Sequence, residues 1–214
     1  MEITAEKIMQ QLSAGTQVAG VIAVFGEEGY YKDKIAAALP RAVFGDAAPE
    51  DREITVFERD TDIKEISAAV NTYPFFSGRS LVIIKDEKLW GGKDGGEKRK
   101  QQQEELAELL SDVPEHCQVL LLGEKIDKRG KLYKSLLKTA AMVECKSLKS
   151  YQLKPWLDEQ AALRGCRFDY EASQTIMEYL SVTDNAPLLL LEQEIEKLSV
   201  YAGERKIWTK DDIE

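Results

Sequence analysis

Residues 21–33, VIAVFGEEGYYKD, set an apolar run ahead of Gly26 and a helix-forming stretch after it. Strand, glycine turn and helix N-terminus together can hold nucleotide phosphates, because amide N–H groups and the helix dipole converge on the turn. The chemistry can be tested position by position. The phosphate-loop pattern G-x-x-x-x-G-K-[ST], started at Gly26, puts Tyr31, Lys32 and Asp33 at its last three places, and Lys32 alone fits. Tyr31 stands where glycine would let the backbone approach a phosphate. Asp33 replaces the hydroxyl that would ligate magnesium. Glu27 and Glu28 add carboxylates where anionic phosphates would lie, and like charges there repel. The stretch reads as a β–α turn with the geometry of a phosphate site and the wrong chemistry. No catalytic residue, cofactor or metal ligand is expected from it.

A second candidate is LVIIKDE (81–87), where Asp86 and Glu87 end an apolar run as the magnesium-holding acids of ATPases do. Without a working phosphate loop they have nothing to act on, and the favoured reading is a strand end with solvated charges. His116 is the sole histidine and stands beside Cys117, with no metal-ligand spacing around it, so a loop histidine is the favoured reading. Cys117, Cys145 and Cys166 are far apart and odd in number, which suits reduced thiols in a cytosolic protein.

The third candidate is NTYPFFSGRS (71–80), a connection between a helix and a strand that carries Tyr73, Pro74, Phe75 and Phe76. Such connections are normally polar, because a buried loop strands its backbone donors and acceptors. Tyr73 is expected to fold back over the sheet edge. Phe75 and Phe76 on a proline-stiffened loop read as a protein-binding plug, each able to contribute about 1.5–3 kcal/mol when buried in a partner's pocket. Internal packing of the same rings, as in a purely structural subunit, stays open.

These residues must be positioned by a regular framework. Apolar strands at 20–25, 80–84, 118–122 and 141–145, with an alternating strand at 52–58 whose Ile54, Val56 and Phe57 are expected to point inward, are separated by helices near 4–13, 30–40, 61–72, 99–111 and 129–139. That alternation predicts an α/β fold, a mainly parallel sheet with helices on both faces. After Lys146 the strands are expected to stop. Three helices follow, the first admitting Pro155 only near its first turn, the last carrying the stripe Leu188, Leu191, Ile195 and Leu198 between Pro187 and Gly203. The division is expected at 1–146 and 147–214. Thr209 reads as the N-cap of a further helix that is cut short. WGGKDGGEKRKQQQEE (90–105) reads as a loop running into a solvated helix, with Lys98, Arg99 and Lys100 as minor candidates for phosphate contact.

In 214 residues, 43% apolar and 31% charged, there is material for a sizeable core. The net charge of −9 speaks against general nucleic-acid binding, although Lys125, Lys128, Arg129, Lys131 and Lys134 form a local basic stretch. No apolar run reaches membrane-spanning length and no secretory leader is visible, so no membrane partner and a cytoplasmic location are expected.

In this order and spacing, VFGEEGYYKDKI, YPFFSGRSLVII, LLLGEKIDKRGKLYKSL, VECKSLKSYQLKPWLDEQAALRG and LEQEIEKLSVYAGERKIWTKDDIE resemble the delta subunit of bacterial DNA polymerase III. The resemblance implies an AAA+-like (RecA-like) module with a degenerate nucleotide site, a three-helix lid, and a C-terminal collar domain that is missing here. It implies a clamp-loader subunit that binds and opens the DNA sliding clamp during replication. Such a subunit is not catalytic by itself and works as a component of the DNA polymerase III holoenzyme, a nucleotidyltransferase. Two further absences agree: active relatives carry Ser-Arg-Cys where KTAAMVEC (138–145) stands, and no arginine occurs between Arg167 and Arg205 to sense a γ-phosphate. The clamp-binding motif falls on Pro74, Phe75 and Phe76, with Pro74 where family members often have leucine. The implied partners are the clamp (beta subunit), the other loader subunits through the collar, and DNA weakly through Lys128, Arg129, Lys131 and Lys134. A degenerate P-loop NTPase, or a structural or DNA-contacting AAA+-like module, are the alternatives.

Overall fold

The computed structural model describes residues 1–16, 18–58, 61–85, 96–181 and 187–213, with residues 98 and 99 described by their backbone alone. Asp86 and Glu87, and the glycine-rich part of 90–105, lie outside the described residues, as do the Lys98 and Arg99 side chains. The chain divides into two compact units, Met1–Cys145 and Lys146–Glu214.

The first unit is built on β1 (Val21–Phe25), β2 (Glu53–Phe57), β3 (Ser80–Ile84), β4 (Cys117–Gly123) and β5 (Ala141–Glu144), all parallel, in the order β2-β3-β4-β1-β5. β1 and β3 are buried throughout, which is why their sequences are unbroken apolar runs rather than alternating ones. Between the strands lie α2 (Gly29–Phe44), α3 (Ile63–Asn71), α4 (Gly96–Leu109) and α5 (Lys131–Thr139), with α1 (Ala5–Ser13) ahead of β1. From β1 the chain crosses one way to β2 and then works back through β3 and β4 to β5. With right-handed crossovers, α2 therefore lies on one face and α3, α4 and α5 on the other. Ile63, Ile66 and Val70 of α3, Leu106 of α4, and Leu132 and Leu136 of α5 bury Val21, Ala23, Val82, Ile84, Val119 and Leu121. α1 packs with α2 on the opposite face, contributing Ile8, Leu12, Ile35 and Leu39 to the core. The expected α/β fold with helices on both faces is what the chain adopts.

The inward setting of Ile54 and Val56 is corrected: their relative exposures are 39% and 45%. β2 is the edge strand, and its Phe57 does pack against the core formed with α3, α4 and α5, as expected. The opposite edge is lined by Met1–Ile3, whose backbone exchanges bonds with Met142 at 2.9 Å.

The second unit holds α6 (Ser150–Leu163), α7 (Tyr170–Ser181), α8 (Leu188–Ala202) and the short α9 (Lys210–Ile213). It also holds the parallel pair β6 (Arg167–Phe168) and β7 (Ile207–Trp208), against the expectation that strands cease after Lys146. Two-residue strands are too short to leave a periodic signal. Trp208 is fully buried edge-to-face against Phe168, with ring centroids 5.1 Å apart. Pro155 is the sixth residue of α6, beyond the first turn where it was expected, so that helix forgoes one internal bond. In α8, Leu188 and Ile195 are buried while Leu191 and Leu198 are half-buried.

Candidate functional site

β1 lies between β4 and β5, and the helices that follow β1 and β4, α2 and α5, lie on opposite faces of the sheet. Doubly wound folds bind ligands at such a switch point. Here the space is closed by the chain's own groups. Gly26, at φ +131°, runs so close to Cys145 that a Cβ would sit 2.0 Å from its carbonyl oxygen. The Glu28 N–H donates to that same carbonyl at 3.1 Å, and the Cys145 N–H donates to Phe25 O at 2.6 Å. The Glu28 side chain caps α2, accepting the Tyr30 N–H at 2.9 Å, so a carboxylate takes a donor that a phosphate would use. The Lys32 ammonium is turned onto the Gly26 carbonyl at 2.8 Å. Glu28, read from the sequence as a repulsive charge, is an internal anion on the helix end.

The aromatic loop lies at the other edge of the sheet. It joins α3 to β3, and because all strands run parallel it sits at their amino ends while Gly26 sits at a carboxyl end. Phe75 is 88% exposed and Phe76 71%, with their rings edge-to-face at 5.2 Å between centroids. Pro74 is buried and is not presented with them. Tyr73 lays its ring against His116, 5.1 Å between centroids, yet remains 72% exposed, so it only partly folds back. Further bonds fasten the loop. The Thr72 hydroxyl and N–H both reach Ala68 O, Ser77 Oγ donates to Arg79 O at 2.7 Å, and the Arg79 guanidinium donates to Glu115 O at 3.1 Å.

One residue of this site has no sequence signature. Glu53 opens β2, in register with Ser80 at the start of β3, and its Oε1 accepts the backbone N–H of both Phe75 and Phe76, the latter at 3.0 Å. Its partners are 22 and 23 residues away, beyond any local pattern.

The basic stretch is largely spoken for by neighbouring acids. Lys128 pairs with Glu144 at 2.8 Å and lies over the Phe25 ring, and the bond to Glu144 raises its pKa. Lys131 pairs with Glu104 at 2.8 Å, which holds the Glu104 carboxyl below its ordinary value. Arg129 stands 3.8 Å from Asp127. Lys134 is exposed. Burial pushes the Cys117 thiol up and the Cys145 thiol up to about 12, so neither is a poised nucleophile. Among the described residues, no group of three or more His, Cys, Asp or Glu side chains could hold a metal ion, and no helix is long and apolar enough to cross a membrane. In the second unit a cavity of about 400 Å³ is lined mainly by apolar side chains, including Leu157, Ile176, Leu180, Leu191 and Ile195.

The first unit is thus a doubly wound parallel α/β module, with the Glu28 carboxylate on the N-terminus of α2 and two exposed phenylalanines at the opposite ends of the strands. The family described as DNA polymerase III, delta subunit, matches residues 25–146, more than half of the sequence, and the chain belongs to that family. It is 28% identical over 200 residues to DNA polymerase III subunit delta of Bacillus subtilis (strain 168), a match covering 92% of this chain and 56% of that protein. The solved Bacillus subtilis DNA clamp loader delta protein superposes with a TM-score of 0.75 at 26% identity, covering 98% of this chain and 61% of the other. The chain therefore spans little more than half the length of these relatives.

Proposed function

We propose that this chain binds the DNA sliding clamp and favours its open form, without hydrolysing ATP itself. The observation that carries the reading is the pair Phe75 and Phe76, 88% and 71% exposed on a loop held by bonds at both ends and in its middle. An exposed aromatic pair on a fastened backbone loses little freedom on docking, and each ring can contribute about 1.5–3 kcal/mol in an apolar pocket. Pro74 then stiffens the loop rather than entering the pocket. Opening needs no chemistry at this chain. A loop that fits the open ring better than the closed one shifts the population by that difference in affinity.

The same reading places the chain in the clamp loader beside the other polymerase III subunits, in the cytoplasm where the chromosome is copied. DNA contact through Lys128, Arg129, Lys131 and Lys134 is secondary, because the first three already face carboxylates. The test is calorimetric titration of the chain into the cognate sliding clamp, beside a Phe75→Ala, Phe76→Ala variant whose fold is checked by circular dichroism. Micromolar or tighter binding lost in the variant is expected; equal binding by both would send the function elsewhere.

A further inference from the structure

Resting on the reading of Phe75 and Phe76 as the docking groups, we propose that Glu53 is the positioning residue that sets the loop in its binding pose before the clamp arrives. Glu53 belongs to the rigid sheet, as the first residue of β2 and in register with Ser80 of β3. Its Oε1 lies under the crown of the loop and accepts two consecutive amides, those of Phe75 and Phe76. One ionised acceptor on adjacent donors gives charge-assisted bonds, stronger and more directional than bonds to water.

Two consecutive N–H groups aimed at one oxygen constrain the backbone on both sides of the peptide that joins them. The Cα–Cβ directions of the two phenylalanines follow from that constraint. Their rings accordingly project together, 5.2 Å between centroids and edge-to-face, instead of sampling separate orientations. The loop's flanks are fixed independently, Tyr73 on His116 before the crown and Arg79 on the Glu115 carbonyl after it. Between those flanks Glu53 is the residue that ties the crown to the sheet. Its removal leaves both rings present and exposed but with their shared orientation released, so the ordering must then be supplied on binding.

The acceptor role is tested with two substitutions, Glu53→Ala and Glu53→Gln, titrated into the cognate sliding clamp beside the unmodified chain and the Phe75→Ala, Phe76→Ala variant. Glu53→Ala is expected to weaken binding about tenfold, with secondary structure unchanged. Glu53→Gln keeps a carbonyl oxygen at the same place and is expected to stay within about threefold of the unmodified chain. In the isolated protein, NMR should show the Phe75 and Phe76 amide protons losing their hydrogen-bonded shifts in Glu53→Ala and keeping them in large part in Glu53→Gln. Unchanged affinity in Glu53→Ala, or Glu53→Gln as weak as Glu53→Ala, overturns the proposal. Binding that survives loss of both phenylalanines overturns the reading beneath it instead, and the two failures are told apart within one set of titrations.

Discussion

The Glu28 carboxylate accepts the N–H of Tyr30 at 2.9 Å, so the N-terminus of α2 already carries an anion of the chain's own. Phosphate binding there would have to displace that cap and bring a polyanion up to Glu27 and Asp33. ATP with magnesium is therefore expected to give no saturable signal in a fluorescence titration to about 1 mM, a threshold equivalent to about 4 kcal/mol. Glu28→Ala should not restore binding, because Tyr31 still stands at the glycine position and Asp33 at the hydroxyl position. Saturable binding by the unmodified chain that disappears in Lys32→Ala would contradict this.

Gly26 is needed for a different reason. Its φ of +131° is strained for any L side chain, and an added Cβ would meet Cys145 backbone oxygen, carbon and nitrogen at 2.0, 2.6 and 2.9 Å. Those atoms belong to a strand-end backbone that bonds Phe25 and Glu28 and cannot swing away. Gly26→Ala should lose more than about 2 kcal/mol of stability, measured by urea unfolding followed by circular dichroism. An unchanged midpoint would mean that the approach to Cys145 is not tight.

The thiols should sort by burial. Burial holds the Cys145 pKa up to about 12 and raises that of Cys117, while Cys166 is half-buried. At pH 8, iodoacetamide is expected to modify Cys166 in the folded chain and to reach Cys117 and Cys145 only in denaturant, as read by peptide mass spectrometry. The sign for stability follows from the raised value. The stability that the buried Cys145 thiol contributes is intact below its unfolded pKa and is lost as pH rises toward 12. Equal labelling of all three in the folded chain would contradict the burial.

Asp212 gives the opposite pH dependence. Its Oδ2 accepts the Thr209 N–H at 2.8 Å and the Thr209 hydroxyl at 3.0 Å, and its Oδ1 pairs with Arg205 at 2.7 Å. The Thr209 N–H above all, and then Arg205, hold the carboxyl below the ordinary aspartate value of 3.8. A lowered pKa stabilises above the unfolded value and is lost as pH falls through the folded one. Asp212→Asn should cost about 1 kcal/mol at pH 7 and progressively less as the pH falls below 3.8 and through the folded value, by thermal unfolding at pH 7 and at a series of acid pH values. A cost that does not change with pH would show that the charge plays no part.

Much of this molecule is legible in its sequence because a parallel sheet covered on both faces writes its inner strands as apolar runs. β1, β3 and β4 are of that kind. β2 misleads: Ile54 and Val56 alternate as if half-buried, but the strand lies at the edge and both remain substantially exposed. β6 and β7 are too brief to show a period at all. In the aromatic loop the apolar types stand out against the polarity expected of a connection, which marks Phe75 and Phe76. What a one-dimensional pattern cannot carry is the third dimension of that loop, with Pro74 turned inward and Glu53 reaching in from a strand 22 residues earlier.

The most direct test of the central claim is release of the closed cognate clamp from nicked circular DNA by the chain alone, with no nucleotide present, followed as loss of DNA-bound clamp in gel filtration. The unmodified chain is predicted to speed release well above the spontaneous rate, and the Phe75→Ala, Phe76→Ala variant to leave that rate unchanged. Release that requires ATP, or that proceeds equally well without the two phenylalanines, would contradict the account.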